Sequence, residues 1–190
     1  MERVFPDTNM LFPMSVMDVI LTLDRVDAHR FVWSETLLAE WRRVVLRTRP
    51  DSTTRVDSLT AAIRAAFAAT RVPEEDFMHL VPELSGPDPN DIVHMAAAIA
   101  GRATVLVTNN LPDFPAPVLA AHGIAVMSAD SYLCRIAADL PDLVVGALND
   151  ISARKKRPPM PVPAIVKALE GAGASEFADR AITLWEETRG

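Results

Sequence analysis

The sequence contains a single cysteine, Cys134, and no long uninterrupted run of apolar residues. One cysteine cannot form an internal disulfide and leaves no cysteine pair for a zinc site, and such usage is typical of a reducing cytoplasm. Met1–Pro6 lacks the apolar stretch of a signal peptide, and no run is long enough to cross a bilayer. We therefore expect a soluble cytoplasmic protein.

Basic residues are also outnumbered, since the sequence has 19 Lys and Arg but 25 Asp and Glu, which gives a net charge of −6. This balance argues against a protein that coats nucleic acid by charge alone, since such binders are usually basic. It is compatible with an enzyme that grips phosphate through a metal ion. Several basic groups could contact phosphates, although solvated helix faces and a linker explain them equally well: Arg42, Arg43, Arg47, Arg49 and Arg154–Arg157.

Short apolar segments alternate with amphipathic ones over most of the chain. The clearest apolar segment, Thr104–Val107, is typical of a strand buried on both faces. We predict extended segments at Arg3–Phe5, Phe31–Trp33, Phe77–Val81, Thr104–Val107 and Ile124–Met127. The helices predicted between and after them cover about 13–23, 35–46, 54–69, 89–100, 117–121 and 129–138. This alternation indicates an α/β fold whose parallel sheet is covered on both faces.

The character of the chain changes near residue 140. A predicted helix at Leu143–Ser152 leads into the basic cluster Arg154–Arg157 and the proline-rich segment Pro158–Pro163, which we interpret as a stiff linker. Two further helices are predicted, at Ala164–Glu170 and Glu176–Thr188. We therefore divide the chain into a domain of residues 1–140 and a helical C-terminal extension of residues 141–190.

Acidic and polar side chains follow two predicted strands, at the ends where ligands collect in parallel sheets. Asp7 follows the first strand, and Asn109, Asn110 and Asp113 follow Thr104–Val107. Carboxylate oxygens are the ligands that Mg²⁺ and Mn²⁺ prefer. This edge of the sheet is therefore a candidate site for a hard cation.

Each acid also has a purely structural explanation. Asp7 could be a turn or capping residue, and Glu40 could form a surface ion pair with the arginine three residues later. Asp88 is well placed as an N-cap, and Asp91 in the same first turn favours the helix dipole. Asp113 could be an ordinary loop acid. Spacing alone supports only an α/β protein with a candidate cation site.

Four segments occur in the order seen in PIN-domain proteins. They are Asp7-Thr8-Asn9, the helix from Ser34 through Glu40 to Arg42-Arg43, Asp88-Pro89-Asn90-Asp91 with Ala96-Ala97-Ala98, and Val107–Pro115. Up to about residue 140 the chain resembles the VapC-like toxins of bacterial type II toxin–antitoxin systems. The resemblance implies a PIN-like, Rossmann-like three-layer α/β/α fold with a central parallel sheet, and ribonuclease activity.

At the matching positions, the resemblance assigns catalysis and metal binding to four acids and a supporting role to two polar residues: Asp7, Glu40, Asp91 and Asp113, with Thr108 and Asn110. It implies Mg²⁺ or Mn²⁺ as cofactor, RNA as substrate, an antitoxin protein as partner, and a homodimer. A metal-bound water would attack the phosphodiester in line, leaving 5′-phosphate and 3′-hydroxyl ends. Glu40 or Asp91 would orient or deprotonate this water. We interpret Asp88 as structural.

Two other functions stay open. One is a PIN-fold binding module without catalysis, and the other is a phosphatase with Asp7 as covalent nucleophile. A haloacid-dehalogenase-like phosphatase would need a second aspartate two residues later, where this chain has Asn9. The histidines are scattered without a pair at metal-ligand spacing, which argues against a two-histidine ribonuclease: His29, His79, His94 and His122.

Overall fold

A four-stranded parallel sheet organises one of the two units into which the chain divides, in a computed structural model that describes residues 1–188. The sheet unit comprises Glu2–Phe12 and Arg30–Met127. The helical unit comprises Met1, Pro13–His29 and the chain from Ser128 onward. The domain boundary at residue 140 stays a prediction.

All strand pairs in the sheet unit are parallel. The strands are β1 (Arg3–Pro6), β2 (Arg30–Phe31), β3 (Trp33–Ser34), β4 (Arg71–Val72), β5 (Val105–Val107) and β6 (Ala125–Met127). The main sheet has the order β2-β1-β5-β6, and β3 pairs separately with β4. Because Pro6 lies opposite Val107, and Val107 opposite Met127, the carboxyl ends of β1, β5 and β6 lie side by side.

Ten α-helices accompany the strands in residues 1–188. They are α1 (Thr8–Leu11), α2 (Met14–Arg25), α3 (Glu35–Thr48), α4 (Thr53–Ala66), α5 (Pro89–Ala100), α6 (Ala116–Ala120), α7 (Ala129–Asp139), α8 (Pro141–Arg154), α9 (Val162–Glu170) and α10 (Ser175–Glu187). The predicted α/β fold, with a central parallel sheet and C-terminal helices, is confirmed. None of the described helices combines the length and the apolar character that crossing a membrane requires.

Local sequence signals explain where the helices near the sheet begin. The Ser34 hydroxyl accepts a hydrogen bond from Leu37 N at 3.2 Å, which caps α3. Asp88 Oδ1 accepts from Asn90 N at 2.8 Å, so the predicted N-cap of α5 is confirmed. Ala96–Ala98 of α5 are fully buried, and their small side chains allow close packing.

The extended segment predicted at Phe77–Val81 is wrong. Met78–Glu83 forms a 3₁₀ helix instead. Phe77 is fully buried, whereas Met78 beside it is exposed, so one apolar residue anchors the segment. A strand needs a partner for its backbone groups, and neither β-sheet of residues 1–188 includes this segment.

In the helical unit, a buried histidine connects α2 with α7. His29 Nδ1 lies 2.7 Å from the Tyr132 hydroxyl, and Nε2 lies 2.9 Å from the carbonyl oxygen of Ile20. Because a carbonyl only accepts, Nε2 carries the proton and Nδ1 accepts from tyrosine. Part of the predicted basic cluster also serves this unit, because Lys155 Nζ lies 2.5 Å from Asp18 Oδ2.

Candidate active site

Asp7 lies at the carboxyl end of β1 and caps the short helix α1, which is one of the two structural roles that the sequence allows for it. Its side chain is 4% exposed. Oδ1 accepts from Thr8 N at 2.6 Å, and Oδ2 accepts from the Thr108 hydroxyl at 3.0 Å. Burial raises the pKa of the Asp7 carboxyl, while His94 and these two hydrogen bonds act in the opposite direction. The carboxyl is therefore held rigidly at the sheet edge.

Thr108 connects the ends of β1 and β5 through a single hydroxyl. This hydroxyl donates to Asp7 and accepts from Asn110 N at 3.0 Å and from Asn9 Nδ2 at 3.3 Å. One donor and two acceptor positions are all that a hydroxyl offers, so its capacity is filled. The side chain that the sequence places in a supporting role thus determines the orientation of Asp7.

Glu40 projects from α3 and is engaged at both carboxylate oxygens. Oε2 lies 2.6 Å from His94 Nε2 and accepts from the Thr8 hydroxyl at 3.1 Å. Oε1 accepts from Arg43 Nη2 at 3.2 Å, which is the surface pair considered from the sequence. The hydrogen bond with His94 is the main reason that the pKa of Glu40 is lowered. Glu40 is therefore held in its ionised form.

His94 is a residue of this site that the sequence analysis missed. It lies on α5 and is only 1% exposed. Its Nδ1 is buried and finds no hydrogen-bond partner within residues 1–188. The available signal was its position three residues after Asp91, which places both side chains on one helix face. The spacing between histidines does not reveal it, because its partner is a glutamate from a different helix.

Asp91, in the first turn of α5, has the most strongly raised pKa of the acids in this site. Burial, followed by the charges of Asp7 and Asp88, raises the pKa of Asp91 to about 6, and Asp113 adds a smaller contribution in the same direction. His94 opposes the rise. Negative charge thus accumulates around this helix N-terminus.

Asp113 ends a 3₁₀ turn at Leu111–Asp113, beyond the end of β5. Asn110 Nδ2 donates to Asp113 Oδ2, which ties the acid to the segment that Thr108 orders. All four acids that the resemblance selects are thus in the sheet unit, and their charges act on one another.

The acidic side chains of this site are chemically suited to a hard divalent cation, but they do not converge on one point. Carboxylate oxygens are the ligands that Mg²⁺ and Mn²⁺ prefer, and the repulsion acting on Asp91 is what a cation would relieve. Within residues 1–188, however, no three His, Cys, Asp or Glu side chains come close enough together to form a metal-binding group. Both oxygens of Asp7 and of Glu40 are already used by protein donors.

Comparison with protein-family models agrees with the fold described above. Residues 3–111 match the PIN domain, and residues 129–181 match the VapC50 C-terminal domain. Since the first match covers more than half of the chain, the chain belongs to the PIN-domain family. The two matches together indicate a VapC-like PIN-domain toxin, a class that implies a nuclease and a cognate antitoxin. No match was found among curated proteins or among solved structures.

The PIN-domain match includes three of the four selected acids. Asp7, Glu40 and Asp91 lie inside residues 3–111, whereas Asp113 lies beyond the end of the match. The second match begins at residue 129, within the helical unit. The C-terminal helices therefore also have a counterpart in VapC-type proteins.

Proposed function

We propose that the protein is a divalent-metal-dependent endoribonuclease that acts as the toxin of a toxin–antitoxin pair. The observation that carries the proposal is the accumulation of negative charge at the carboxyl edge of the sheet, where the pKa of Asp91 rises to about 6. A fold that buries Asp7 beside other acids loses stability unless something compensates the charge. A divalent cation held at this edge would compensate the charge and would attract phosphate.

We propose that Asp7, Asp91 and Asp113 would hold Mg²⁺ or Mn²⁺, with Glu40 at the margin of the set. Since these carboxylates do not form a metal-binding group within the described residues, the ion would have to draw them together. When bound, the ion would polarise a phosphoryl oxygen and lower the pKa of a bound water. Thr108 keeps Asp7 turned toward the edge of the sheet, and Asn110 restrains Asp113.

The sequence leaves both Glu40 and Asp91 as candidates to accept a proton from the attacking water. The directions of their pKa shifts distinguish the two. Glu40 has a lowered pKa and its oxygens already accept from His94, Thr8 and Arg43, so it is a poor base. In the metal-free protein the pKa of Asp91 is raised to about 6, so Asp91 accepts a proton more readily than Glu40 does. We therefore propose that Asp91, rather than Glu40, orients or deprotonates the attacking water if the metal leaves one of its oxygens uncoordinated, and that Glu40 has a positioning role.

The alternative in which Asp7 attacks phosphorus as a covalent nucleophile fits the geometry less well. Its two oxygens are buried and accept hydrogen bonds from Thr8 N and Thr108. A nucleophilic carboxylate oxygen must itself contact the phosphorus atom, which the burial of Asp7 hinders, whereas a small cation needs only a remaining lone pair.

The nuclease proposal is tested with purified wild-type protein and Asp7→Asn on RNA, in Mg²⁺, in Mn²⁺ and in EDTA. We expect cleavage only with metal, with 5′-phosphate and 3′-hydroxyl ends, and a loss of at least about 100-fold in Asp7→Asn. The exposed Asp139 provides a matched control, since Asp139→Asn makes the same chemical change outside the site. Wild-type rates from Asp7→Asn, or undiminished cleavage in EDTA, would refute the assignment.

The antitoxin is expected to bind near the acidic residues with a basic or aromatic segment. An open groove of ≈ 470 Å³ runs beside Glu40, and glutamates outnumber its single arginine: Glu35, Thr36, Ala39, Glu40, Arg43 and Glu74. We also propose that the protein forms a homodimer. Size-exclusion chromatography tests this, and a monomer at all working concentrations contradicts it.

A further inference from the structure

A second cavity of the sheet unit lies at the opposite end of β1 from Asp7. It measures ≈ 200 Å³, and three separate elements line it with arginines: Arg3 opens β1, Arg71 opens β4 and Arg102 follows α5. Arg3 and Asp7 are four residues apart along an extended chain, so about 13 Å separates their backbones. The cavity is therefore a different site from the acidic edge.

Positive charge exceeds negative charge in this cavity, although the whole chain has a net charge of −6. Asp76 is the single acid among the described lining residues. Arg3 Nε donates to the carbonyl oxygen of Gly101 at 2.9 Å, which holds its guanidinium against the wall and leaves the two terminal nitrogens without a hydrogen bond in residues 1–188. Arg71 Nη1 lies 3.8 Å from Glu35 Oε1, so that ion pair is long.

The backbone at Arg102 is unusual for an arginine. Its φ is 51°, in the left-handed region where glycine is preferred after a helix. Glycine occupies the preceding position because a Cβ on Gly101 would lie 2.6 Å from Val32 Cγ1 and 2.7 Å from Val72 Cγ2. Close packing therefore requires Gly101, whereas Arg102 is exposed. Backbone strain in a residue that a functional site uses is a recurrent pattern.

We propose that the cavity bounded by Arg3, Arg71 and Arg102 binds a phosphate group. Guanidinium groups match phosphate oxygens through paired N–H donors. The volume of ≈ 200 Å³ is below the range of about 300–1,000 Å³ that is usual for larger ligands, so a single phosphate is the ligand of appropriate size. It could belong to a free phosphate compound or to an RNA backbone, and the experiment distinguishes these two sources.

The test compares wild-type protein with Arg102→Gly and Arg102→Asn, all in EDTA so that no metal can bring phosphate to the acidic edge. Glycine and asparagine both accept the left-handed backbone, so these variants should unfold at or above the wild-type temperature without ligand. Arg55→Ala removes an exposed arginine of α4 and is the matched control. Inorganic phosphate is titrated by calorimetry and thermal shift against NaCl of equal ionic strength, and a short labelled RNA by fluorescence polarisation.

We expect wild-type protein and Arg55→Ala to bind inorganic phosphate, and both Arg102 variants to bind it at least about ten-fold more weakly. If only RNA binding weakens by that factor, the phosphate comes from the RNA backbone and the site still stands. Equal binding of both probes by all four proteins overturns the proposal, as does a phosphate effect no greater than that of NaCl together with RNA binding that the Arg102 variants leave unchanged. Because no cleavage is measured, these outcomes are independent of the nuclease proposal.

Discussion

Replacing Asp91 by asparagine removes a charge that the folded protein accommodates poorly. The carboxyl lies in the first turn of α5, partly buried and facing other acids, so its pKa rises from 3.8 to about 6. Asparagine keeps the shape of the side chain and cannot ionise. In the absence of metal, we expect Asp91→Asn to be more stable than the wild type at neutral pH, although it lacks nuclease activity.

The pH dependence of this stability gain follows from the number of protons that the folded and the unfolded chain bind at Asp91. Below pH 3.8 the carboxyl is mostly protonated in both the folded and the unfolded chain, and the substitution has little effect. Between pH 3.8 and about 6 the unfolded chain releases this proton while the folded protein keeps it, so the free energy of unfolding falls as the pH rises. Above about pH 6 the folded protein carries the unfavourable charge and the loss is complete. A pKa difference of about 2 corresponds to about 3 kcal/mol. Solvent screening and the lost helix-dipole interaction reduce the expected gain to about 1–2 kcal/mol.

Urea denaturation followed by circular dichroism measures this gain, in EDTA, at about pH 7.5 and at about pH 4. The advantage of Asp91→Asn should be largest at the higher pH and mostly absent at the lower one. Asp139→Asn, an exposed change, should behave like the wild type at both. If Asp91→Asn is no more stable at about pH 7.5, or if its gain is the same at both pH values, the electrostatic reasoning is refuted.

Substitutions at three further positions test the hydrogen bonds described above. His94→Ala should lower the cleavage rate about 10- to 100-fold, because His94 orients the Glu40 carboxylate. His94→Gln should retain part of the lost activity, since a glutamine can still donate a hydrogen bond to Glu40. Initial cleavage rates at increasing Mg²⁺ concentration measure both variants. Thr108→Val removes the donor to Asp7 and should lower the free energy of unfolding by about 1–3 kcal/mol in urea titrations. Tyr132→Phe removes the hydroxyl that is hydrogen-bonded to His29 and should lower the free energy of unfolding by about 1–2 kcal/mol in the same assay. An unchanged free energy of unfolding in either variant would show that the corresponding hydrogen bond contributes nothing.

Helix positions were predictable because their signals are local. The Ser34 side chain caps α3, and Asp88, the N-cap predicted from the sequence, begins α5. A cap acts between residues two or three apart, so it operates whatever the rest of the chain does. The strand at Thr104–Val107 was also predictable, because a continuous apolar run must be buried.

Phe77–Val81 shows where local reasoning fails. Apolar residues at Phe77, Leu80 and Val81 suit either a strand or a tight helix, and only a neighbouring strand could decide. Here β4 pairs with β3 instead, and Met78–Glu83 turns into a 3₁₀ helix. Strand pairing joins segments far apart in sequence, so no short window contains it.

By itself, the sequence determined that polar and acidic residues follow β1 and β5, since the order of apolar and polar residues is written along the chain. Only the tertiary structure decided that Glu40 pairs with His94, 54 positions away, and that Asp91 feels the charge of Asp7. The reason is that the ionisation of an acid depends on its burial and on charges within a few ångströms. Both quantities exist only after helices and strands from distant parts of the chain have packed together.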